Sequence, residues 1–427
     1  MGIGFPEGLL LLGAILAAGA ALSGWLQGTV LSISVLSVLV GIALAFADVL
    51  TAEPADELVV FTVELALILT LFSDGLVVEA ELLRRHWTPA ARALVVAMPI
   101  TLVLLALAAR LLFPELSWTE AFLLAAVLTP TDPVVTSAVV TSPRIPATVR
   151  HTLNLESGLN DGLALPFVLF FLAVAVGADD PALEAGRLAG EALVGAGIGV
   201  ALALASGLLL ARLPGRGVEA KYEGVYGLAI AFLAFGIAET TWGNGLIAAF
   251  VGGIAAAVSR HELPDAFFEF NESVSATFQV IVFVLFGAII VETGWQGSTP
   301  ALVAFILFAL LVARPAAVMV SFLGVRESLP NKLFMAWFGP KGVASILFAL
   351  LVVSSTEENR TLVFDVASFT VLVSICAHGL TDTVGAGWLE RQLAEGSVGR
   401  DDDDVRERVQ RDEDRSRPAV VPPAGDE

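Results

Sequence analysis

Apolar runs long enough to cross a bilayer recur along almost the whole chain, and no other feature restricts its fold so tightly. Spanning about 30 Å of hydrocarbon takes roughly 20 residues of helix, because lipid offers no partners for backbone N–H and C=O groups and a helix pairs them internally. Runs of this kind are read at 8–23, 28–48, 57–76, 89–113, 119–141, 154–177, 184–212, 221–242, 244–259, 273–292, 298–323, 331–355 and 363–387. They predict an all-α polytopic membrane protein of about 13 transmembrane helices. The first run lacks a basic leader and further spans follow it, so it reads as a helix and not as a cleaved signal peptide.

Composition agrees. Of the residues, 56% are hydrophobic and 15% charged, against about 25% charged in soluble domains. The single cysteine, Cys376, excludes a disulfide framework or a cysteine-based metal site within one chain. A net charge of −20 argues against nucleic acid as a partner. Surplus acid beside only three lysines, Lys221, Lys332 and Lys341, fits either solvated loops or a cytoplasm of high salt.

Basic residues in short loops favour the cytoplasm. With the N-terminus outside, Arg84, Arg85, Arg144, Arg150, Arg212, Arg216, Lys221, Arg260, Arg326 and Lys332 fall inside, and only Arg110, Arg187 and Arg360 fall outside. An odd number of spans then leaves the C-terminus in the cytoplasm. Residues 1–387 form the transmembrane domain. Residues 388–427, with Asp401 to Asp404 and Pro422-Pro423, have little to bury and are expected to be an acidic, disordered cytoplasmic tail.

An ionisable group inside an apolar run is costly and therefore a functional candidate. The fifth run holds Thr129-Pro130-Thr131-Asp132-Pro133. Pro130 and Pro133 remove backbone donors and strand carbonyls, so this helix is expected to unwind in mid-membrane, where freed carbonyls and helix ends hold cations in transporters. The sixth run holds Glu156-Ser157-Gly158-Leu159-Asn160-Asp161. Residues four apart share a helix face, which stacks Ser157 with Asp161 and Glu156 with Asn160. A hydroxyl beside a carboxylate suits a hard, oxygen-seeking cation. The twelfth run breaks at Phe338-Gly339-Pro340-Lys341-Gly342, with Gly339 and Pro340 as the breakers and a cation that needs a carboxylate partner. The two breaks lie seven spans apart. An odd offset reverses direction through the membrane, which predicts two inverted six-helix repeats, spans 1–6 and 8–13, with unwound helices crossing in spans 5 and 12.

At these residues the chain resembles the NhaP-type branch of the cation:proton antiporters, the sodium/proton exchangers among them. The resemblance covers all the runs in order, and its specific parts are Thr-Asp-Pro at 131–133, Glu-Ser-x-x-Asn-Asp at 156–161 and Gly-x-x-Gly at 339–342; Phe72-Ser73-Asp74-Gly75 is a weaker match. It implies that Asp161 is the carboxylate binding either the cation or the proton, with Asp132 and Ser157 as further ligands of Na+. Thr131 then sits at the helix crossing, and Asn160 is held by Glu156. The family usually has arginine at the position of Lys341, as partner of the glutamate corresponding to Glu156, so Glu156 and Lys341 are expected to form an ion pair. Lysine there keeps the charge but loses the bidentate fork.

The resemblance implies an exchanger of Na+ or Li+ for H+ in the cell membrane, with no cofactor and no nucleotide. It further implies a homodimer in which a core of spans at about 89–177 and 298–387 slides against a scaffold at about 8–76 and 184–292. Asn160 in place of a second aspartate points to exchange of one charge for one. Gly195 and Gly199 in the seventh span permit close helix packing. Arg314 reads as snorkelling or functional, Glu64 and Asp74 as entry or interface, and His378 as packed. A K+/H+ exchanger and a cation channel remain as rivals. An intramembrane aspartyl protease using Asp132 and Asp161 lacks its Gly-x-Gly-Asp signature, and an ATP-driven pump lacks a P-loop.

Overall fold

The computed structural model describes residues 10, 13–18, 21, 33–78, 87–132, 145–177, 180–212, 219, 222–259, 265–294, 298–355 and 359–397. Half of the first expected span, 8–23, lies outside them. So do Pro133, several of the loop arginines and the tail beyond residue 397.

Among the described residues the regular structure is helical. In chain order the helices are α1 (Ile33–Phe46), α2 (Glu57–Val77) and α3, which runs from Trp87–Arg92 through a π segment at Ala93–Ala97 into Met98–Leu112. Next come α4 (Trp118–Val127), α5 (Ala147–Val176), α6 (Pro181–Arg212), α7 (Glu223–Glu239), α8 (Gly245–Val258) and α9 (Asp265–Thr293). Helix α10 runs from Thr299–Phe308 through a π segment at Ala309–Ala313 into Arg314–Ser321. The chain closes with α11 (Leu329–Trp337), α12 (Val343–Val353) and α13 (Arg360–Ser397). Among the described residues, seven helices are long and apolar enough to cross a membrane, and α1, α4, α8 and α12 are shorter apolar helices.

Local chemistry sets the ends. Ser117 and Glu120 form a reciprocal capping box at the start of α4, and Asn244 caps α8 by accepting from the Ile247 N–H at 2.9 Å. Gly177 ends α5 at φ +112°, a left-handed conformation that glycine adopts without a Cβ penalty. Three helices reach well beyond the apolar runs, among them α5, which begins at Ala147. Helix α9 begins at Asp265, and α13 continues to Ser397, where Leu389 and Leu393 pack with Phe334 and Phe338. Residues 388–397, expected to belong to a disordered tail, are helical.

Lipid is as apolar as leucine, so helices in it associate through close backbone approach. A Cβ on Gly41 would stand 2.1 Å from the Val284 carbonyl oxygen, which brings α1 onto α9. Gly195 and Gly199 work the same way. A Cβ on either would meet α8 or its cap, 2.3 Å from the carbonyl oxygens of Asn244 and Ala248 respectively, so these glycines serve packing within one chain. Leu111, Leu183 and Leu193 are exposed on the bundle surface, as lipid-facing residues are.

The π segments fall in matching sequence. Ala93-Leu94-Val95-Val96-Ala97-Met98-Pro99 and Ala309-Leu310-Leu311-Val312-Ala313-Arg314-Pro315 agree at five of seven positions, and the π segment of α3 packs against the Arg314–Ser321 part of α10.

Candidate functional site: two broken helices and a buried acid cluster

Helix α4 stops at Val127, and Thr131 and Asp132 follow in non-helical backbone. The span made by α11 and α12 is likewise broken at 338–342. The breaks cross in contact. Asp132 N–H donates to the Pro340 carbonyl at 2.9 Å, and the Val343 N–H donates to Asp132 Oδ2 at 3.0 Å. Asp132 thus caps the positive end of α12, supplying an anion where unpaired N–H groups accumulate. Lys341 does the converse. Its ammonium lies 3.3 Å from both the Thr129 and Pro130 carbonyls, at the negative end of α4, and its N–H donates to Ser374 Oγ at 2.8 Å. Each break is neutralised by a charge carried on the other.

Glycine permits this approach. A Cβ on Gly342 would lie 2.1 Å from Asp132 Oδ2, and one on Gly339 would lie 1.9 Å from Arg314 Nε.

Helix α5 brings Ser157, Asn160 and Asp161 against the first break, all three buried. Ser157 Oγ donates to the Thr131 carbonyl, and Asn160 Nδ2 donates to Thr131 Oγ1 at 2.6 Å. Thr131 is thereby held through main chain and side chain together. Asp74, from the end of α2, reaches the same space and lies beside Asp161. Three buried oxygens here have no hydrogen-bond partner: Asp161 Oδ1, Asn160 Oδ1 and Asp74 Oδ2. Buried oxygens without donors are costly alone and favourable to a cation. Among the described residues, no group of three or more His, Cys, Asp or Glu side chains forms a metal-holding cage.

Two expectations are corrected. Glu156 pairs with Arg314 and not with Lys341: the guanidinium donates from Nη1 to Oε1 at 2.8 Å and from Nη2 to Oε2 at 3.2 Å. Both residues are buried, so the bidentate fork meets a carboxylate that has lost its water, and Arg314 does not snorkel. Nor does Glu156 hold Asn160, whose amide is turned to Thr131. A lysine reaching for carbonyls at a helix end needs no carboxylate, because helix-end carbonyls carry partial negative charge.

Other candidates take lesser places. His378 is buried and stacked on Trp337 at 4.9 Å, with its ring nitrogens 2.7 Å from the Ser374 carbonyl and 3.0 Å from the Trp337 carbonyl. It is a packed, hydrogen-bonded histidine. Glu64 is exposed and lines a small crevice with Leu350 and Ser354, away from the acid cluster.

A family model described as sodium/hydrogen exchanger, transmembrane, matches residues 11–384. The K(+)/H(+) antiporter NhaP of Alkalimonas amylolytica is 25% identical over 340 residues, 78% of this chain and 58% of that protein. The Na(+)/H(+) antiporter of Schizosaccharomyces pombe is 27% identical over 323 residues, 65% of this chain and 66% of that protein. This chain therefore spans less than two thirds of the length of these relatives. Among solved structures, the sodium proton antiporter MjNhaP1 from Methanocaldococcus jannaschii superposes with a TM-score of 0.75 at 21% identity, over 90% of this chain and 98% of that one.

Proposed function

This chain belongs to the sodium/hydrogen exchanger family, and from that premise we propose that it is a secondary transporter exchanging Na+ or Li+ for H+ across the cell membrane. The observation that carries this reading is the set of unpartnered oxygens of Asp161, Asn160 and Asp74 at the crossing of two broken helices. A proton or a hard monovalent cation satisfies such a set, and not both at one carboxylate. Ser157, Thr131 and Asp132 shape the site. Ser157 has its hydroxyl proton committed to the Thr131 carbonyl, and Asp132 holds the start of α12 against the first break by capping it.

Charge arithmetic supports exchange of one for one. Asp74, Asp132, Glu156 and Asp161 supply four negative charges when ionised, and Arg314 and Lys341 supply two positive ones, leaving −2 in a buried cluster. A proton shared by Asp74 and Asp161 lowers this to −1, and either one cation or a second proton completes neutrality. Swapping these carries no net charge, so the cycle ignores a potential that is worth about 2.3 kcal/mol per charge per 100 mV.

The repeated π segments and the mutual capping of the two breaks support two inverted six-helix repeats, with Asp161 presented alternately to each side. In this reading the core of residues 89–177 and 298–387 moves against the scaffold of 8–76 and 184–292, in a homodimer with its N-terminus outside. The names of the bacterial relatives favour a second reading, K+/H+ exchange. Proteoliposomes holding a pH gradient decide between them: added Na+ and Li+ are expected to drive proton efflux, and K+ is not. Equal efflux with K+ makes the chain a potassium exchanger. Cation flux without proton movement makes it a channel.

A further inference from the structure

Between the second half of α5 and the first half of α6 lies a slot that the ion site does not use. Its interior, about 240 Å³, is walled by apolar side chains including Phe167, Phe170, Leu188 and Ala189. Asn244 is its one polar lining residue, and the Asn244 side-chain oxygen already accepts from the Ile247 N–H. Water needs two to four polar partners to stay in such a space, and the slot does not supply them. In a bilayer the available occupant is an acyl chain.

Toward Gly177 the slot opens into a wider space of about 570 Å³ that shares Leu169, Leu188 and Asn244 with the first and adds Glu184, Arg187 and Glu191. An apolar interior thus continues into a charged mouth. Arg187 donates from Nε and Nη2 to Glu184 and from Nη1 to Glu191 at 2.8 Å. A guanidinium has five N–H groups, so two remain, on a side chain that is 52% exposed. Two carboxylates against one guanidinium leave the mouth with a net negative charge.

We infer that this slot binds one phospholipid whose headgroup carries both a phosphate and a protonated primary amine. The tail fills the apolar interior. The phosphate takes the two remaining N–H groups of Arg187, and the amine donates to the carboxylates of Glu184 and Glu191. An anionic headgroup lacks the positive charge that the net-negative mouth selects, and a quaternary ammonium has no N–H to donate.

Native mass spectrometry of the full chain, delipidated in detergent and then titrated with phosphatidylethanolamine, phosphatidylcholine or phosphatidylglycerol of matched tails, tests this. One phosphatidylethanolamine per chain is expected, at least tenfold tighter than either competitor. Ala189→Trp, which fills the slot, abolishes that selective binding. Glu184→Gln with Glu191→Gln brings phosphatidylethanolamine down to the level of phosphatidylcholine. Equal binding of the three lipids by the wild type, or selective binding that survives Ala189→Trp, overturns the inference. The readout is lipid occupancy, so it stands apart from whether the chain exchanges ions.

Discussion

Removing one partner of the Glu156–Arg314 pair is expected to cost at least as much as removing both. The pair is buried and joined by hydrogen bonds of 2.8 and 3.2 Å. Arg314→Met leaves a buried carboxylate without its hydrogen-bonded counter-charge, and Glu156→Gln leaves a buried guanidinium in the same state. Each single change is expected to cost about 3–5 kcal/mol. The double variant leaves no orphaned charge and should cost no more than either single one, which makes the coupling energy at least about 3 kcal/mol. The same cycle on Glu156 and Lys341 should give about 1 kcal/mol or less, because Lys341 is committed to the Thr129 and Pro130 carbonyls. Unfolding of the purified protein by sodium dodecyl sulfate in mixed micelles, followed by circular dichroism, measures both cycles. Additive losses for Glu156 with Arg314, or the larger coupling for Glu156 with Lys341, refute the pairing.

Three further predictions follow from the crossing. Gly342→Ala places a methyl 2.1 Å from Asp132 Oδ2 and is expected to abolish exchange, whereas Gly197→Ala, with nothing within 4 Å, leaves it intact and stabilises α6 by about 0.5–1 kcal/mol; flux and thermal melting check the pair. Asp132→Asn keeps an oxygen to cap α12, so it should retain the fold better than Asp132→Ala by about 1 kcal/mol in the same micelle titration, and equal losses contradict the cap. Lys341→Met strands two carbonyls and is expected to cost about 1–3 kcal/mol, with Lys341→Arg recovering most of it; an undiminished Met variant removes Lys341 as the cap of α4.

Much of this was legible in the sequence, for identifiable reasons. Hydropathy reports burial in lipid, so apolar runs located the helices, yet it missed the polar extensions of α9 and α13, which are helical because they pack and not because they are greasy. Pro130 and Pro340 marked their breaks because loss of a backbone donor is a local property, and Gly339 did so through the backbone freedom that makes glycine costly in a helix. Partner choice is not local. Nothing along the chain says that Arg314 lies nearer to Glu156 than Lys341 does. One signal was present: the seven residues ending in Pro315 echo those ending in Pro99, and Arg314 is one of the two positions where they differ. Asp74 was harder to place, since an acid near the end of an apolar run looks the same whether it meets headgroups or another carboxylate. The structure sets it against Asp161.

The account turns on proton and cation competing for Asp161, and proton release on cation binding tests that directly. Purified protein in weakly buffered detergent, titrated with NaCl against choline chloride, is expected to release about one proton per Na+ bound, and Asp161→Asn none. Sodium binding without proton release in the wild type, or undiminished release from Asp161→Asn, contradicts it.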